Sequence, residues 1–403
     1  MAVGDPVLHS LLEQAGEVAS VRVARERLAE ASASLRAARA AMTPEVTGSA
    51  GGVFTAPGDD AIRQSIRSAT IGLAYDFDVS GALDARATAA RARVEARAEA
   101  VEAARIAARE LCVRLYTAYA AATEQRQVTR QSVRAFEDAL AIAESRARAR
   151  LGPQVDVVQA RAALAAARAT LPRLEAARDG ARLGLEALLG LMPGALAGPL
   201  GGVDTVPAVD AGRPLRTPLE VVSRRPDLRV AERELAAASA GSIAAMQDRW
   251  PRLTLGALLG VQSVRVPGPL AGDGLVSSLV AGIAGPLLDG GRLESQVDAA
   301  RARERAAAIA YRQAALVALS EVEEGLSSLA QAQTEDALTA ASVEAATARL
   351  ALVGSRWRSG LSPFLDVVLA EQALQAANAQ RVLTRGRLLE TFARLSTAVG
   401  AGC

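Results

Sequence analysis

The chain is one unit written twice with a period of 210 residues, and this limits the folds open to it. AARAR at 89–93 recurs at 299–303, and SRARARLGPQVDVV (145–158) aligns without a gap to SRWRSGLSPFLDVV (355–368). ARERLAEASA (24–33) matches AERELAAASA (231–240) with the offset slipping to 207, and Leu185 to Gly190 pairs with Leu395 to Gly400 at 210 again. Between the halves, ten of the 26 residues from Pro193 to Pro218 are glycine or proline, so neither a helix nor a central strand can run through. The expected division is a first repeat over 1–192, a Gly/Pro-rich connector over 193–217 with room for a short strand or turn of helix, and a second repeat over 218–403.

Each half reads in the same order. A first helix is expected over 7–42 and again over 218–249. Two short segments with a period of two follow, near 44–56 and 71–79, then near 253–262 and 275–288. Leu253, Leu255, Ala257, Leu259 and Val261 share one face of their segment, as do Ile71, Leu73, Tyr75, Phe77 and Val79. Pro57-Gly58-Asp59-Asp60 and Pro267-Gly268-Pro269 read as the tips between them. Gly290-Gly291 then turns strand into helix. Proline-free helices run over 82–150 and 292–358, each roughly 100 Å long at 1.5 Å per residue. Val101, Ala104, Ala108, Leu111, Leu115, Ala118 and Ala122 space out as a coiled-coil seam of small residues. A turn at Leu151-Gly152-Pro153, and at Gly360-Leu361-Ser362-Pro363, returns the chain along a shorter helix.

Composition removes several function classes. Aromatics are 3% of the chain, too few to fill a wide globular core. One histidine, His9, and two cysteines, Cys112 and Cys403, cannot supply a zinc site of the usual kind or a disulfide framework, so no metal is expected. All 46 basic residues are arginine, set against 44 acids interleaved along the helices, which leaves no nucleic-acid footprint. There is no Walker-type loop, no histidine dyad and no nucleotide-fold alternation, so the sequence reads as a non-enzyme without cofactors. Charge interrupts every alanine stretch, so no spanning helix is expected, and MAVGDPVLHSLLEQ is not a signal peptide as it stands. A closed β-barrel needs no spanning helix. Strands of about ten residues have the length of membrane β-strands, but four cannot close a barrel, since known ones have at least eight. If these strands span a membrane, several chains must share one barrel; otherwise two hairpins form a small soluble sheet.

RRPDLRVAERELAAA (224–238), RWPRLTLGALLGVQS (249–263), PLLDGGRLESQVDAARAR (286–303) and SRWRSGLSPFLDVVLAEQAL (355–374) together resemble the TolC/outer-membrane-factor family. The likeness is greatest to its NodT-type branch, which works with RND efflux pumps. AYDFDVSGALDARATAARARVEA (74–96) is similar to the same family's first strand-to-helix junction. The family's Asn-Pro-Asp-like helix start is missing near Ala19-Ser20, whereas Arg225-Pro226-Asp227 is intact in the second half. The resemblance implies a mainly α protein with a small β part. Long coiled-coil hairpins would form an α-barrel, and four transmembrane strands per chain a trimeric twelve-stranded β-barrel in the bacterial outer membrane, reaching into the periplasm. Implied partners are two further copies of the chain, outer-membrane lipid, a periplasmic adaptor (membrane fusion) protein and an inner-membrane RND-type pump. The implied function is a passive exit duct for small molecules. A duct for type I protein secretion, or a soluble periplasmic coiled-coil scaffold or adaptor, are the competing readings.

By the same resemblance the turns form a periplasmic tip. Asp156 and Asp366 match positions that put acidic groups near a constriction, and Arg146, Arg148, Arg356 and Arg358 lie just before the turns, within reach of those carboxylates. Trp357 stands where the family commonly has tyrosine. These seven residues are the expected gate. Leu151, Gly152, Pro153, Gly360, Leu361, Ser362 and Pro363 are the expected adaptor-docking turns. From the residues alone, simpler roles stay open: an aspartate favouring a helix N-terminus, arginines on a solvated helix face, glycine and proline as turn-formers.

Overall fold

The computed structural model describes residues 4–55, 64–209, 225–265 and 272–398. The two expected strand tips, residues 210–224 and the C-terminal 399–403, Cys403 among them, lie outside the described residues. In order, the elements are α1 (Pro6–Ala15), α2 (Ala19–Ala40), β1 (Glu45–Thr55), β2 (Gln64–Phe77), α3 (Ala82–Arg148), α4 (Gln154–Leu189), a 3-10 turn (Pro199–Gly202), α5 (Pro226–Gln247), β3 (Arg252–Arg265), β4 (Gly272–Ala284), α6 (Arg292–Arg358) and α7 (Phe364–Ala398). The duplication is visible in the lengths, since α3 and α6 both have 67 residues and the return helices α4 and α7 have 36 and 35. The chain divides into two units, each drawing on both repeats: Met1–Ala24, Val101–Leu228 and Ala315–Cys403 form one, Arg25–Ala100 and Arg229–Ala314 the other.

In the second of these units the strands form one antiparallel sheet of order β1-β2-β3-β4. The two hairpins are joined across β2 and β3, from Ser65 opposite Arg265 to Phe77 opposite Leu253. The register puts like with like. Val46, Leu73, Ala257 and Leu279 lie in one cross-strand row, Phe77, Leu253 and Ile283 in another, and Ala50, Ala69, Val261 and Leu275 in a third. Because side chains alternate, all of these share one face, and Leu279 on it is 75% exposed. The opposite face carries Thr47, Ser49, Thr70, Gly72, Ser68 and Gln262, with Ser49 and Thr70 hydroxyls 2.8 Å apart. Gly260 is required where β3 pairs with β2, because a Cβ there would collide with the Ala69 carbonyl oxygen. Tyr75 and Phe77 stack edge-on at 4.6 Å, at the same end of the sheet as the exposed Trp250, whereas Phe54 lies towards the opposite end of β1.

Both junctions from sheet to long helix use an aspartate and glycines at positive φ. Asp78 accepts from the amides of Leu83 and Asp84 after Gly81 (φ 77°). Asp289 accepts from Gly291 and Leu293, with Gly290 and Gly291 at φ 63° and 84°. Each carboxylate lies a few residues before its helix and satisfies first-turn amides that the helix itself leaves unpaired. Below the sheet, α3 and α5 are joined by a ladder of ion pairs: Arg86 with Asp248, Glu95 with Arg233, Arg97 with Glu234 and Glu99 with Arg229.

The other unit holds the apolar core. Leu8, Leu11, Leu12 and Ala15 of α1 bury against Cys112, Val113, Tyr116 and Ala120 of α3, Leu185 of α4, Leu389 of α7, and Leu196, Leu200, Val203 and Val206 of the connector. Asp5 caps α1 through the amides of Val7 and Leu8 and accepts the Tyr116 hydroxyl proton. Three expectations are corrected. The expected first helix is two, because the chain turns over Gly16-Glu17-Val18, where Gly16 and Glu17 amides bond back to Glu13 and Gln14. The seam on α3 is wider than the one read from spacing: Ala118 is exposed, whereas Cys112, Val113, Tyr116, Thr117, Tyr119 and Ala120 are buried. A helix packed on more than one side buries more than an a/d stripe. One 18-residue stretch of α6 reaches a mean hydropathy of 1.2, so by length and composition α6 is apolar enough to cross a membrane; none of that stretch is buried. Its alanine and leucine content outweighs the few charges that interrupt it.

The connector is held by a buried carboxylate. Glu186, 1% exposed, accepts from the Gly194 and Leu196 amides at 3.0 Å each and pairs with Arg182 at 2.9 Å. Burial pushes this carboxyl up, but the two amides and the guanidinium outweigh it and hold it below its ordinary value. A depressed carboxyl contributes stability that is present above its unfolded pKa and lost as pH falls through the folded one. Glu186→Gln is therefore expected to lower the thermal unfolding midpoint at neutral pH. The gap to the parent should shrink as pH drops below the carboxylate range, read by calorimetry at both pH values.

Candidate functional site

The two helix-to-helix turns are built on one plan, offset by 210 residues. The Leu151 amide bonds to the Arg146 carbonyl at 2.8 Å and the Leu361 amide to the Arg356 carbonyl at 2.9 Å. Each closes a helix C-terminus through one residue in the left-handed region. That residue is Gly360 (φ 74°) in the second turn and Arg150 (φ 59°) in the first. Pro153 and Pro363 then open α4 and α7, with the Asp156 and Asp366 amides 3.2 Å from the carbonyls of Pro153 and Pro363. Gly152 matters by closeness rather than by φ, since a Cβ would sit 3.2 Å from Cβ of Arg146.

The expected site residues fall into three groups. Leu151 and Leu361 project outward, 73% and 70% exposed, with Val155 and Leu365 exposed beside them on the opening turns of α4 and α7. Pro153, Gly360 and Pro363 are exposed, and Gly152 and Ser362 half-buried, the Ser362 hydroxyl without a partner among the described residues. Asp156 and Asp366 are half-buried. Burial pushes the Asp156 carboxyl up, and the Arg146 guanidinium offsets part of that. Arg148, Arg356 and Arg358 are exposed; Arg358 bonds back to the Gly354 carbonyl at 3.2 Å. Within the chain, none of the four arginines forms an ion pair with Asp156 or Asp366 among the described residues.

Trp357 goes inward. It is 6% exposed and lies 5.2 Å from the Phe364 ring, in a cluster with Phe136, Ala160, Leu164 and Val368. Arg146 crosses from the first turn to sit 5.5 Å over the Trp357 ring and donates to the Trp357 carbonyl at 3.4 Å. Trp357 and Arg146 therefore tie the two turns of one chain together. Further along the same unit, the structure gives tasks to the Arg225-Pro226-Asp227 motif and to Glu124, which motif reading passed over. Arg225, 7% exposed, binds Asp227 at 2.6 Å and Glu321 at 2.6 Å and reaches the Ala398 carbonyl. That gives the intact Arg-Pro-Asp motif a task, tying the start of α5 to α6 and to the end of α7. Glu124 bonds both Arg385 and the Val206 amide, fastening α3 to α7 and the connector. The sequence signal for Arg225 is the Arg-Pro-Asp motif at the start of α5, and for Glu124 an acid on a helix face that also carries Tyr116 and Ala120.

Arg150 is the one non-glycine residue at positive φ among the described residues, at a position where the other repeat has glycine. Left-handed backbone strains a side chain bearing Cβ. Arg150→Gly is expected to stabilise the chain by about 0.5–1 kcal/mol, after the entropy cost of glycine is set against the relief. A chemical-denaturation midpoint that falls would contradict that.

Comparison with known proteins agrees with this architecture. The family model described as outer membrane efflux protein matches residues 11–191 and 218–401, one segment on each repeat. Nodulation protein T of Rhizobium leguminosarum bv. viciae is 26% identical over 383 residues, covering 95% of this chain and 79% of that protein. The pyoverdine export outer membrane protein OpmQ of Pseudomonas aeruginosa is 28% identical, covering 100% and 86%. Among solved structures, the outer-membrane channel OprN superposes with a TM-score of 0.87 at 26% identity, over 99% of this chain and 91% of that one. The chain thus belongs to the outer membrane efflux protein family, and it is an efflux channel of the outer membrane rather than a member of an enzyme family.

Proposed function

We propose that three copies of the chain form one passive exit duct, conducting small molecules handed to it by an inner-membrane RND-type pump through a periplasmic adaptor. The observation that carries this reading is the sheet: four strands with one apolar, exposed face and two outer strands, β1 and β4, each paired on one side only. In hydrocarbon an open edge leaves backbone groups unpaired at several kcal/mol each, and pairing β4 of one copy with β1 of the next removes every edge. Three copies give twelve strands. The small and polar face then lines the lumen.

The first repeat (1–192), connector (193–217) and second repeat (218–403) act together in this scheme, each repeat supplying one hairpin of strands and one helical turn. The turns are the periplasmic end. Leu151 and Leu361, held outward by the backbone bonds described above, are the apolar knobs on which an adaptor docks, with Gly152, Pro153, Gly360, Ser362 and Pro363 shaping the surface. Asp156 and Asp366 make rings of three across the trimer, and Arg146, Arg148, Arg356 and Arg358 set the potential around them. Trp357 holds each pair of turns as one body, so that opening is a movement of whole hairpin tips. Transport energy comes from the pump, and this chain supplies route and gate.

Asp156→Ala combined with Asp366→Ala is expected to raise the leak conductance of the reconstituted channel in planar bilayers. Unchanged single-channel conductance would count against the gate; no conductance at all from the parent chain would remove the duct.

A further inference from the structure

We propose that the cleft between α3, α4 and the 3-10 turn of the connector binds a small inorganic oxyanion of the phosphate or sulfate type, on the guanidinium groups of Arg126, Arg178 and Arg182. The cleft has a volume of about 190 Å³ and is lined by these three arginines, Tyr119, Thr123 and Asp204 among others. Tyr119, Thr123 and Arg126 follow one another at helical spacing on α3, and Arg178 and Arg182 stand one turn apart on α4.

The decisive residue is Arg126. Its side chain is only 18% exposed, its nearest carboxylate oxygen, on Glu175, is 4.0 Å away, and its Nε is buried with no acceptor. Among the described residues it makes no hydrogen bond, although a guanidinium carries five N–H donors. Burial lowers its proton affinity and the like charges of Arg130 and Arg178 lower it further, outweighing the opposite pull of Glu175 and Tyr119. A partly buried guanidinium whose Nε has no acceptor and whose carboxylate neighbour stands at 4.0 Å is under-satisfied, and an anion at this point supplies the missing acceptor. The neighbours are only partly engaged: Arg178 bonds the adjacent Asp179, and Arg182 reaches Glu186 through Nη1 alone.

Size and geometry select the ligand class. The cavity is well above the roughly 30 Å³ share of one water and below the roughly 300–1,000 Å³ of sites for drug-sized molecules. It is therefore too small for exported cargo. Guanidinium groups converging from two helices suit the oxygens of a tetrahedral anion, each offering paired N–H donors. Asp204 opposes binding. It is exposed, held by Gln127 at 2.8 Å, and adds a negative charge to the wall. An anion here bridges α3 to α4 beneath the connector, so binding stabilises the folded chain.

The test titrates sodium phosphate, then sodium sulfate, into the detergent-solubilised full chain at constant ionic strength with chloride as the balancing ion. Heat of binding and thermal unfolding are both followed. A saturable, phosphate-dependent rise in the unfolding midpoint is expected, as is at least tenfold weaker binding for Arg126→Gln. Arg168→Gln, which removes an exposed pair with Glu137 elsewhere on α4, should bind as the parent does. Asp204→Asn should tighten binding, and it serves as the second variant if Arg126→Gln does not fold. Equal responses to phosphate, sulfate and chloride would overturn the proposal. So would unchanged affinity in Arg126→Gln, or the absence of any tightening in Asp204→Asn.

Discussion

The backbone ladder between β2 and β3 is the interaction on which the rest of the architecture depends. Without it the chain holds two hairpins that belong to two repeats, each short and marginal in isolation. With it the repeats share one sheet in which Leu73, Tyr75, Phe77, Leu253, Leu255, Leu259, Leu275, Leu279 and Ile283 fall on one face, because the register from Ser65–Arg265 to Phe77–Leu253 keeps both alternations in phase. A slip of one residue would move Leu255, Leu259 and Val261 to the face of Thr47 and Ser49. Gly260 guards the close approach at this seam. The two outer strands are each paired on one side only, and the proposed closure of a barrel by further copies rests on that pairing inside one chain.

Duplication explains why the turn region is so regular. Equivalent backbone bonds, equivalent prolines and equivalent aspartates recur at 210 residues, and the differences between repeats are informative because the frame is constant. Arg150 accepts a left-handed backbone where its counterpart is glycine. Trp357 has no aromatic counterpart, since Ala147 occupies that position in the first repeat. One ring buried against Phe364 and covered by Arg146 therefore joins two turns that are otherwise copies. The asymmetry converts a pair of similar hairpins into one tip.

Much of this was legible in the sequence. Long uninterrupted helices, period-two strands and proline/glycine turns each carry a local signal, and the repeat supplied an independent check on every one, so α3 and α6 were read to within two residues of their ends. What stayed hidden depends on tertiary contact. The break at Gly16 looks like one glycine inside a helical pattern until α1 is seen buried against α3 and the connector. The seam of α3 was read too narrow because spacing describes one packed face, whereas Cys112, Tyr116, Tyr119 and Ala120 pack on several. Glu186 and Arg126 resemble any other charge on an amphipathic helix. Only their surroundings make one a satisfied anchor of the connector and leave the Nε of the other buried without an acceptor. In the tip, the spacing of Asp156 and Asp366 from their turns was readable, while the inward course of Trp357 was not.

The central claim is that several chains close one barrel, and the mass of the assembled particle tests it most directly. The chain, given a cleavable export signal, would be recovered from membranes and measured by light scattering with the detergent contribution subtracted. The account predicts a particle of three 41.5 kDa chains that detergent alone releases. A monomer or dimer soluble without detergent would contradict it.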